Sequence, residues 1–279
     1  MSLKPAHQTK HQRVRPLSQL KVTGIVGVFT DVDDTLTEHG LLAPSTFAAL
    51  HRLKQAGFLV VPVTGRSSGW GHMMMSNWPV HAVVAESGGT IFYRDQFQRI
   101  QMKLYSDDAE VLASHHRERA RLMQLCESLI AAEPGFKFAL DNAFRIADVA
   151  IDYNESVDRV SDVIVQGAID QIHAAGFQAK ASSIHINAWF GHFDKAPTAL
   201  KVLQQLPAEF SNPDQWVFIG DAPNDASMFA AFANSIAVAN IKPHLNSPAL
   251  TASPQFICQQ SFGAGFEELA QHLLENKLT

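Results

Sequence analysis

Short apolar runs that end in polar turns recur towards both ends of the chain. Runs rich in β-branched and aromatic residues are typical of buried strands, and we predict five of them, over residues 26–30, 58–63, 80–85, 216–219 and 235–239. Segments with apolar residues at helical spacing predict helices over residues 44–57, 195–206, 226–232 and 264–274. This alternation predicts an α/β fold with a doubly wound parallel sheet.

The middle of the chain has a different pattern. Residues 144–152 alternate between apolar and polar positions, as in a sheet with one face open to solvent. Helices are predicted over 107–132 and 155–175, and further strands within 177–190. We therefore predict an α+β unit over residues 95–190, inserted into a core formed by residues 22–94 and 191–279.

The first 21 residues differ from the rest in charge. Their basic residues, which no acidic residue balances, are Lys4, Lys10, Arg13, Arg15 and Lys21. The stretch lacks the apolar run of a secretory signal. We expect residues 1–21 to form a basic, flexible tail, with a targeting or surface-binding segment as the alternative.

Composition narrows the function classes. A chain of 279 residues with 46% hydrophobic residues and a net charge of -5 has ample core material and no basic excess that would favour nucleic acid. No apolar run approaches the roughly 18 to 20 residues of a membrane span. Cys126 and Cys258 lack metal-ligand spacing, so we expect packed thiols and a cytoplasmic location. The oligomeric state stays open.

Three carboxylates follow the first predicted strand: Asp31, Asp33 and Asp34. Open α/β sheets bind ligands at the carboxyl ends of their strands, and carboxylates crowded there repel one another unless a cation joins them. Hard oxygen ligands favour Mg2+. A purely structural turn is one alternative. A calcium loop of the EF-hand type is excluded because Leu36 and Leu42 occupy the positions that need Gly and Glu.

Other polar residues lie at strand ends or a helix start on the same predicted side of the sheet: Thr64, Lys195, Asp221 and Asp225. A carboxylate nucleophile, a hydroxyl, an ammonium and an acidic metal-binding loop together meet the needs of phosphoryl transfer. Lys195 could instead be a surface lysine, but a cation at a helix start is unfavourable to the helix dipole. Thr64 could lie in a plain turn, and Asp225 could merely cap a helix.

The sequence resembles the haloacid dehalogenase (HAD) superfamily of phosphohydrolases. The resemblance rests on Asp31-Val32-Asp33-Asp34-Thr35, Thr64-Gly65-Arg66, Lys195 and Gly220-Asp221-Ala222-Pro223-Asn224-Asp225. The inserted block stands where the type IIB branch carries its cap, the branch of Cof-type hydrolases, sucrose-phosphate phosphatase and mannosyl-3-phosphoglycerate phosphatase. The resemblance thus implies a HAD-like core with an inserted cap that determines specificity.

The resemblance also implies catalytic roles. Asp31 would attack phosphorus and form an aspartyl-phosphate, while Asp33 would protonate the leaving group and then activate water. Thr64 would bind a phosphate oxygen, and Lys195 would neutralise Asp31 and the transferring group.

A metal site is implied as well. Mg2+ would bind the Asp31 carboxylate, the Asp33 backbone carbonyl and Asp221, and Asn224 and Asp225 would complete or orient the ligand shell.

The implied substrate is a small phosphorylated metabolite, a sugar phosphate or glycosyl phosphate, with no nucleic-acid or membrane partner. Thr64, Gly65 and Arg66 are candidate substrate contacts from the core. Candidate contacts from the cap are His185, Asn187, Trp189 and His192, although Trp189 could equally be a core residue. A phosphomutase that uses Asp31, a catalytically silent phospho-ligand sensor and a scaffolding role are the alternatives.

Two positions depart from the family pattern. Asp34 stands where the superfamily commonly has Gly. Glu86 and Ser87 begin a turn where relatives often show Asn-Gly, which removes any substrate contact that this turn would otherwise imply.

Overall fold

The computed structural model of the chain describes residues 14–277. Its first part contains β1 (Arg15–Pro16), β2 (Gly27–Thr30), β3 (Thr37–Glu38), β4 (Leu41–Leu42), α1 (Pro44–Gln55), β5 (Leu59–Pro62), α2 (Ser68–Asn77), β6 (Ala82–Ala85), β7 (Thr90–Arg94) and β8 (Ile100–Leu104). The middle part contains α3 (Ala109–Ala132), β9 (Lys137–Phe138), β10 (Asp148–Asp152), α4 (Asp162–Ala174), β11 (Gln178–Ala181) and β12 (His185–Trp189). The last part contains α5 (Lys195–Gln204), β13 (Trp216–Gly220), α6 (Ala226–Ala231), β14 (Asn234–Ala237), β15 (Phe256–Ile257) and α7 (Phe262–Asn276).

The core is a six-stranded parallel sheet in the order β1-β15-β14-β13-β2-β5. A parallel bridge between Val63 and Val84 leads from β5 to β6, which forms an antiparallel sheet with β7 and β8. Side chains of β2 alternate between the faces: Val28 packs on the side of α1, α2 and α7, and Phe29 packs on the side of α5 and α6. The predicted α/β fold with a parallel sheet is confirmed.

The cap is a four-stranded antiparallel sheet in the order β11-β12-β10-β9. Helices α3 and α4 cover it and contribute Leu122, Cys126 and Ile172 to a hydrophobic cluster separate from those of the core. Strands β10 and β12 are antiparallel neighbours in the middle of this sheet. The residues that follow β10 and those that precede β12 therefore lie together at the same end of the two strands.

Several segment boundaries differ from the sequence-based ones. Strand β8 pairs with β7, so the chain leaves the core after residue 104 rather than at 95. Helix α4 begins at Asp162 rather than at 155, because the Asp152 carboxylate accepts hydrogen bonds from the backbone N–H groups of Asn154, Glu155 and Ser156 and holds this segment as a loop.

The structure describes only the second part of the predicted flexible tail, residues 14–21. Residues 1–13 lie outside the described residues. Arg15 and Pro16 form β1 at the edge of the main sheet, and Leu17 and Leu20 are buried against the core. No helix in the described part of the chain is long and apolar enough to cross a membrane.

Candidate active site

An ion triad lies at the carboxyl ends of β2 and β13. Asp31 directly follows β2, and its backbone N–H bonds the carbonyl of Ile219 in β13. The Nζ atom of Lys195, the first residue of α5, lies 2.6 Å from Asp31 Oδ1 and 2.7 Å from Asp225 Oδ1. Lys195 is 1% exposed, which rejects the alternative of a surface lysine.

The loop after β13 is held by its own last residue. Asp225 Oδ2 accepts hydrogen bonds from the backbone N–H groups of Asp221 and Ala222, at 3.1 and 3.4 Å. Both oxygens of the Asp225 carboxylate are therefore engaged, one by this loop and the other by Lys195. Asp225 does more than cap a helix: it positions Lys195 and the loop that carries Asp221.

Asp221 faces Asp31 from the neighbouring strand end. Its Oδ1 accepts from the Thr35 hydroxyl at 3.3 Å, and its Oδ2 accepts from Asn240 Nδ2 at 3.3 Å. Asn240 also donates to the backbone carbonyl of Asp34 at 3.0 Å. Asn240 thus links the two acidic loops. We did not predict this role, because Asn240 is far along the sequence from the loop of Asp34.

The buried acids outnumber the single ammonium. Burial raises the pKa of Asp31 to about 8, although the charge of Lys195 acts in the opposite direction. Burial, with the charges of Asp31 and Asp225, raises the pKa of Asp221 well above its ordinary value. Burial disfavours the charged form of Lys195, but Asp225 and Asp31 raise its pKa above the usual range. The cluster therefore has too little positive charge to keep every carboxylate ionised at neutral pH.

The oxygen atoms of this cluster fit a hard divalent cation. One carboxylate oxygen from each of Asp31, Asp221 and Asp225 lies within 4.8 Å of the others. Asn224 Oδ1 is buried beside the same pocket and has no hydrogen-bond partner among the described residues. An unmatched amide oxygen among carboxylates is a donor set suited to such a cation, which would also supply the missing positive charge.

Thr64 and Arg66 follow β5, and Arg66 lines the same pocket as Asp31. Thr64 is fully buried, and its Oγ1 accepts the backbone N–H of Arg66 at 3.1 Å. The Nε and Nη2 atoms of Arg66 lie 2.7 and 2.6 Å from Asp33 Oδ1, and Nη2 lies 3.3 Å from Glu155 Oε1 in the cap. Burial alone would lower the pKa of Arg66, but the charge of Asp33 raises it. Arg66 thus joins the proposed acid of the core to the cap.

Two of the four candidate cap contacts, His185 and Asn187, lie at the cleft. His185 Nε2 lies 2.9 Å from Glu155 Oε2, and Asn187 Nδ2 donates to the Gly65 carbonyl at 3.1 Å and to Asp148 at 2.9 Å. Both line the pocket that also contains Asp31.

The other two cap candidates do not line the cleft. Trp189 is buried and stacks on Phe193 with ring centroids 5.4 Å apart, and His192 is exposed and lines none of the pockets around the acids. The structure therefore favours the packing alternative for Trp189.

A second buried ion cluster joins core and cap. Glu86 is fully buried, and its carboxylate accepts the backbone N–H groups of Ser68 and of the cap residues Ile146, Ala147 and Asp148. Burial raises the pKa of Asp148 to about 7, partly opposed by Arg145.

Arg145 completes this junction. Its guanidinium is fully buried and binds Asp148, Asp141 and the Gly65 carbonyl. The backbone next to Thr64 is therefore fixed by the cap.

The two departures from the family pattern lie at positions of left-handed backbone. Asp34, Glu86 and Ser87 have φ values of 56, 51 and 54°, in the left-handed region that favours Gly and Asn.

A family model for haloacid dehalogenase-like hydrolases matches residues 28–132 and 173–254, more than half of the chain. Among curated proteins, a phosphoglycolate phosphatase from Methanothrix thermoacetophila is 23% identical over 253 residues, covering 89% of this chain and 97% of the relative. A phosphoglycolate phosphatase from Methanospirillum hungatei is 26% identical over 249 residues, covering 87% of this chain and 94% of the relative.

Solved structures show the same fold. A protein from Thermoplasma acidophilum superposes with a TM-score of 0.68 at 19% identity, covering 91% of this chain and 99% of its own. The sucrose-phosphatase from Synechocystis, in complex with sucrose and phosphate, gives a TM-score of 0.63 at 15% identity, covering 89% and 97%. The C-terminal domain of C. albicans trehalose-6-phosphate phosphatase gives 0.68 at 13% identity, covering 94% and 98%.

The predicted superfamily, its cap branch and the predicted enzyme class are confirmed by these matches. The chain belongs to the haloacid dehalogenase-like hydrolase family.

Proposed function

We propose that the protein is a Mg2+-dependent phosphatase that hydrolyses a small sugar phosphate or glycosyl phosphate through an aspartyl-phosphate. The observation that carries the proposal is the 2.6 Å contact between Lys195 Nζ and Asp31 Oδ1 at the carboxyl end of β2. A buried carboxylate held by a buried ammonium is a nucleophile kept ready in a site that excludes water.

In the first step, an Asp31 carboxylate oxygen forms a bond to phosphorus while the bond from phosphorus to the leaving oxygen breaks. Lys195 stabilises the ionised form of Asp31 and the charge of the transferring group. The Thr64 hydroxyl donates a hydrogen bond to a phosphate oxygen, and Asp33 gives its proton to the leaving oxygen, which departs as an alcohol.

In the second step, Asp33 takes a proton from a water molecule that attacks phosphorus. The bond between phosphorus and Asp31 breaks, which releases inorganic phosphate and restores the Asp31 carboxylate and the Asp33 carboxylic acid. The contact of Arg66 with Asp33 Oδ1 fixes the orientation of Asp33 through both steps.

Mg2+ bound by Asp31, Asp221, Asn224 and the Asp33 carbonyl would offset the negative charge of the phosphate. Asp225 acts indirectly, since both of its oxygens are engaged by Lys195 and the loop backbone. The raised pKa of Asp31, about 8, supports a requirement for the cation, because a second positive charge is needed to keep the nucleophile ionised at neutral pH.

Relatives support the substrate class at a coarse level. The curated relatives are named for phosphoglycolate, and two structural neighbours are named for sugar phosphates. Polar cap residues at the cleft, including His185 and Asn187, are suited to hydroxyl groups of a sugar.

The test is phosphate release from sugar phosphates, glycosyl phosphates, nucleotides and an aryl phosphate, with and without Mg2+, beside Asp31→Asn. We expect release that requires Mg2+, is lost in the variant and is highest for one sugar phosphate. Phosphate returned to the substrate rather than to water would identify a phosphomutase instead. A folded protein that binds Mg2+ and releases no phosphate from any compound would overturn the proposal in favour of a phospho-ligand sensor.

A further inference from the structure

A cleft between core and cap adjoins the proposed reaction pocket. Its volume is about 370 Å³, and its polar lining includes Asp33, Asp34, Arg66, Asn154, Glu155 and Ser183. Asp33, Arg66 and Ser183 also line the reaction pocket. A leaving group that takes its proton from Asp33 would therefore extend into this cleft.

The one arginine of the cleft is engaged within the protein. Two of its nitrogen atoms contact Asp33 Oδ1 at 2.6 to 2.7 Å, and its guanidinium carbon lies 4.8 Å from the ring centroid of Trp70. Nη2 also contacts Glu155. A substrate carboxylate would have to displace Asp33 or Glu155 before it could bind Arg66.

Glu155 is held in place from two sides. Arg66 contacts Oε1 at 3.3 Å and His185 contacts Oε2 at 2.9 Å, while 32% of the side chain stays exposed at the cleft. The hydrogen bond with His185 lowers the pKa of Glu155, so the group is a fixed negative charge at neutral pH. Asp34 adds a further acid, and His39 is the remaining basic side chain of the lining.

We infer that Glu155 is a specificity-determining residue that selects a neutral, hydroxyl-bearing leaving group and rejects one that carries a carboxylate. This inference rests on the proposed phosphatase function. Carboxylate oxygens accept hydrogen bonds from substrate hydroxyls, and the Asn154 amide and the Ser183 hydroxyl can add further bonds. A substrate carboxylate in the same place would meet the like charge of Glu155, and Arg66 is already engaged by Asp33 and Glu155.

The sharpest test uses two phosphate esters that differ only at the far end, 2-hydroxyethyl phosphate and 2-phosphoglycolate. We would measure kcat/KM for both with the wild-type protein, Glu155→Gln and Glu127→Gln. The last variant removes the same charge from an exposed position of cap helix α3 and serves as the control.

We expect the wild-type protein to prefer the neutral ester. Glu155→Gln should narrow that preference on the order of tenfold, the effect of removing one charge close to the ligand in a partly solvated cleft. The change should lie mainly in KM for phosphoglycolate and should shrink at high salt, whereas Glu127→Gln should match the wild type. Melting temperatures would show that both variants are folded.

A wild-type preference for phosphoglycolate, or an equal preference in wild type and Glu155→Gln, would overturn the inference. An aryl phosphate measured in parallel separates this result from failure of the proposed function. Hydrolysis of the aryl phosphate with no effect of Glu155 contradicts the specificity role alone, while absence of hydrolysis of all three esters contradicts the phosphatase itself.

Discussion

The two buried ion clusters of this protein are built from similar groups in different ways. In the cluster around Asp31, one ammonium serves several carboxylates, and the amide oxygen of Asn224 has no partner among the described residues. In the cluster between core and cap, backbone N–H groups and Arg145 occupy the oxygens of Glu86 and Asp148.

Both clusters raise the pKa of a buried aspartate, to about 8 for Asp31 and about 7 for Asp148, and in both cases burial is the main cause. A raised pKa therefore does not distinguish the reaction site from a structural junction. What distinguishes them is the unmatched amide oxygen of Asn224, which lies beside the carboxylates of the Asp31 cluster.

Variants of the two clusters should differ most in their effect on activity. Asp31→Asn should lower phosphate release at least about a thousandfold because it removes the proposed nucleophile. Asp148→Asn should lower it by no more than about tenfold, since Asp148 acts only through Arg145 and Asn187 on the Gly65 carbonyl. Steady-state assays on the best substrate of the panel measure both, and losses of equal size would contradict the assignment of separate roles.

Loss of the central cation of each cluster should destabilise the fold. Arg145→Met and Lys195→Met each leave buried carboxylates unpaired, and each should lower the free energy of unfolding by about 3–5 kcal/mol. Urea denaturation would measure this. Mg2+ should restore part of the stability of the Lys195 variant and none of that of the Arg145 variant; restoration of both would show that the junction also binds the cation.

Removal of the unmatched oxygen should weaken metal binding. Asn224→Ala should raise the Mg2+ dissociation constant on the order of tenfold or more, because it deletes one oxygen donor of the proposed site. Asn187→Ala, which removes an amide from the junction, should leave that constant unchanged. Isothermal titration with Mg2+ would compare the two variants, and a similar change in both would argue against a metal contact of Asn224.

The smallest contrast should appear in the pH dependence of stability. Asp31 has a folded pKa of about 8, above its ordinary 3.8, so its stabilising contribution is complete below about pH 4 and is lost as the pH rises through 8. Asp148 has a folded pKa of about 7, so its stabilising contribution is also lost as the pH rises, in this case through 7.

At the proposed site Mg2+ would replace the proton on Asp31, whereas Asp148 lies outside that site. The melting temperature should therefore rise more with Mg2+ at pH 8 than at pH 6, by a few degrees. Asp31→Asn should abolish this difference, and Asp148→Asn should preserve it. Thermal unfolding at the two pH values tests the pair, and an equal rise at both pH values in the wild type would contradict the linkage.

Local patterns were sufficient for β2, β5, β6, β13, β14 and most helices of the core, but not for the two-residue strands β1 and β15 at one edge of the sheet. We did not predict helix α2 from the sequence, because it has no continuous polar face and contains Gly69 and Gly71. Its packing requires them, since a Cβ atom on Gly71 would lie 2.7 Å from the Phe92 ring. The start of α4 was misplaced because the Asp152 carboxylate competes with the helix for backbone N–H groups.

The sequence by itself determined the parallel core, the inserted cap and the acidic strand ends, because each depends on patterns within a few residues. Only the tertiary structure decided that Asn240 ties Asp221 to the loop of Asp34, that Glu86 anchors the cap, and that Glu155 faces Arg66 across the cleft. These pairs are far apart along the chain, and a charged side chain carries no local signal of the partner that folding will bring to it.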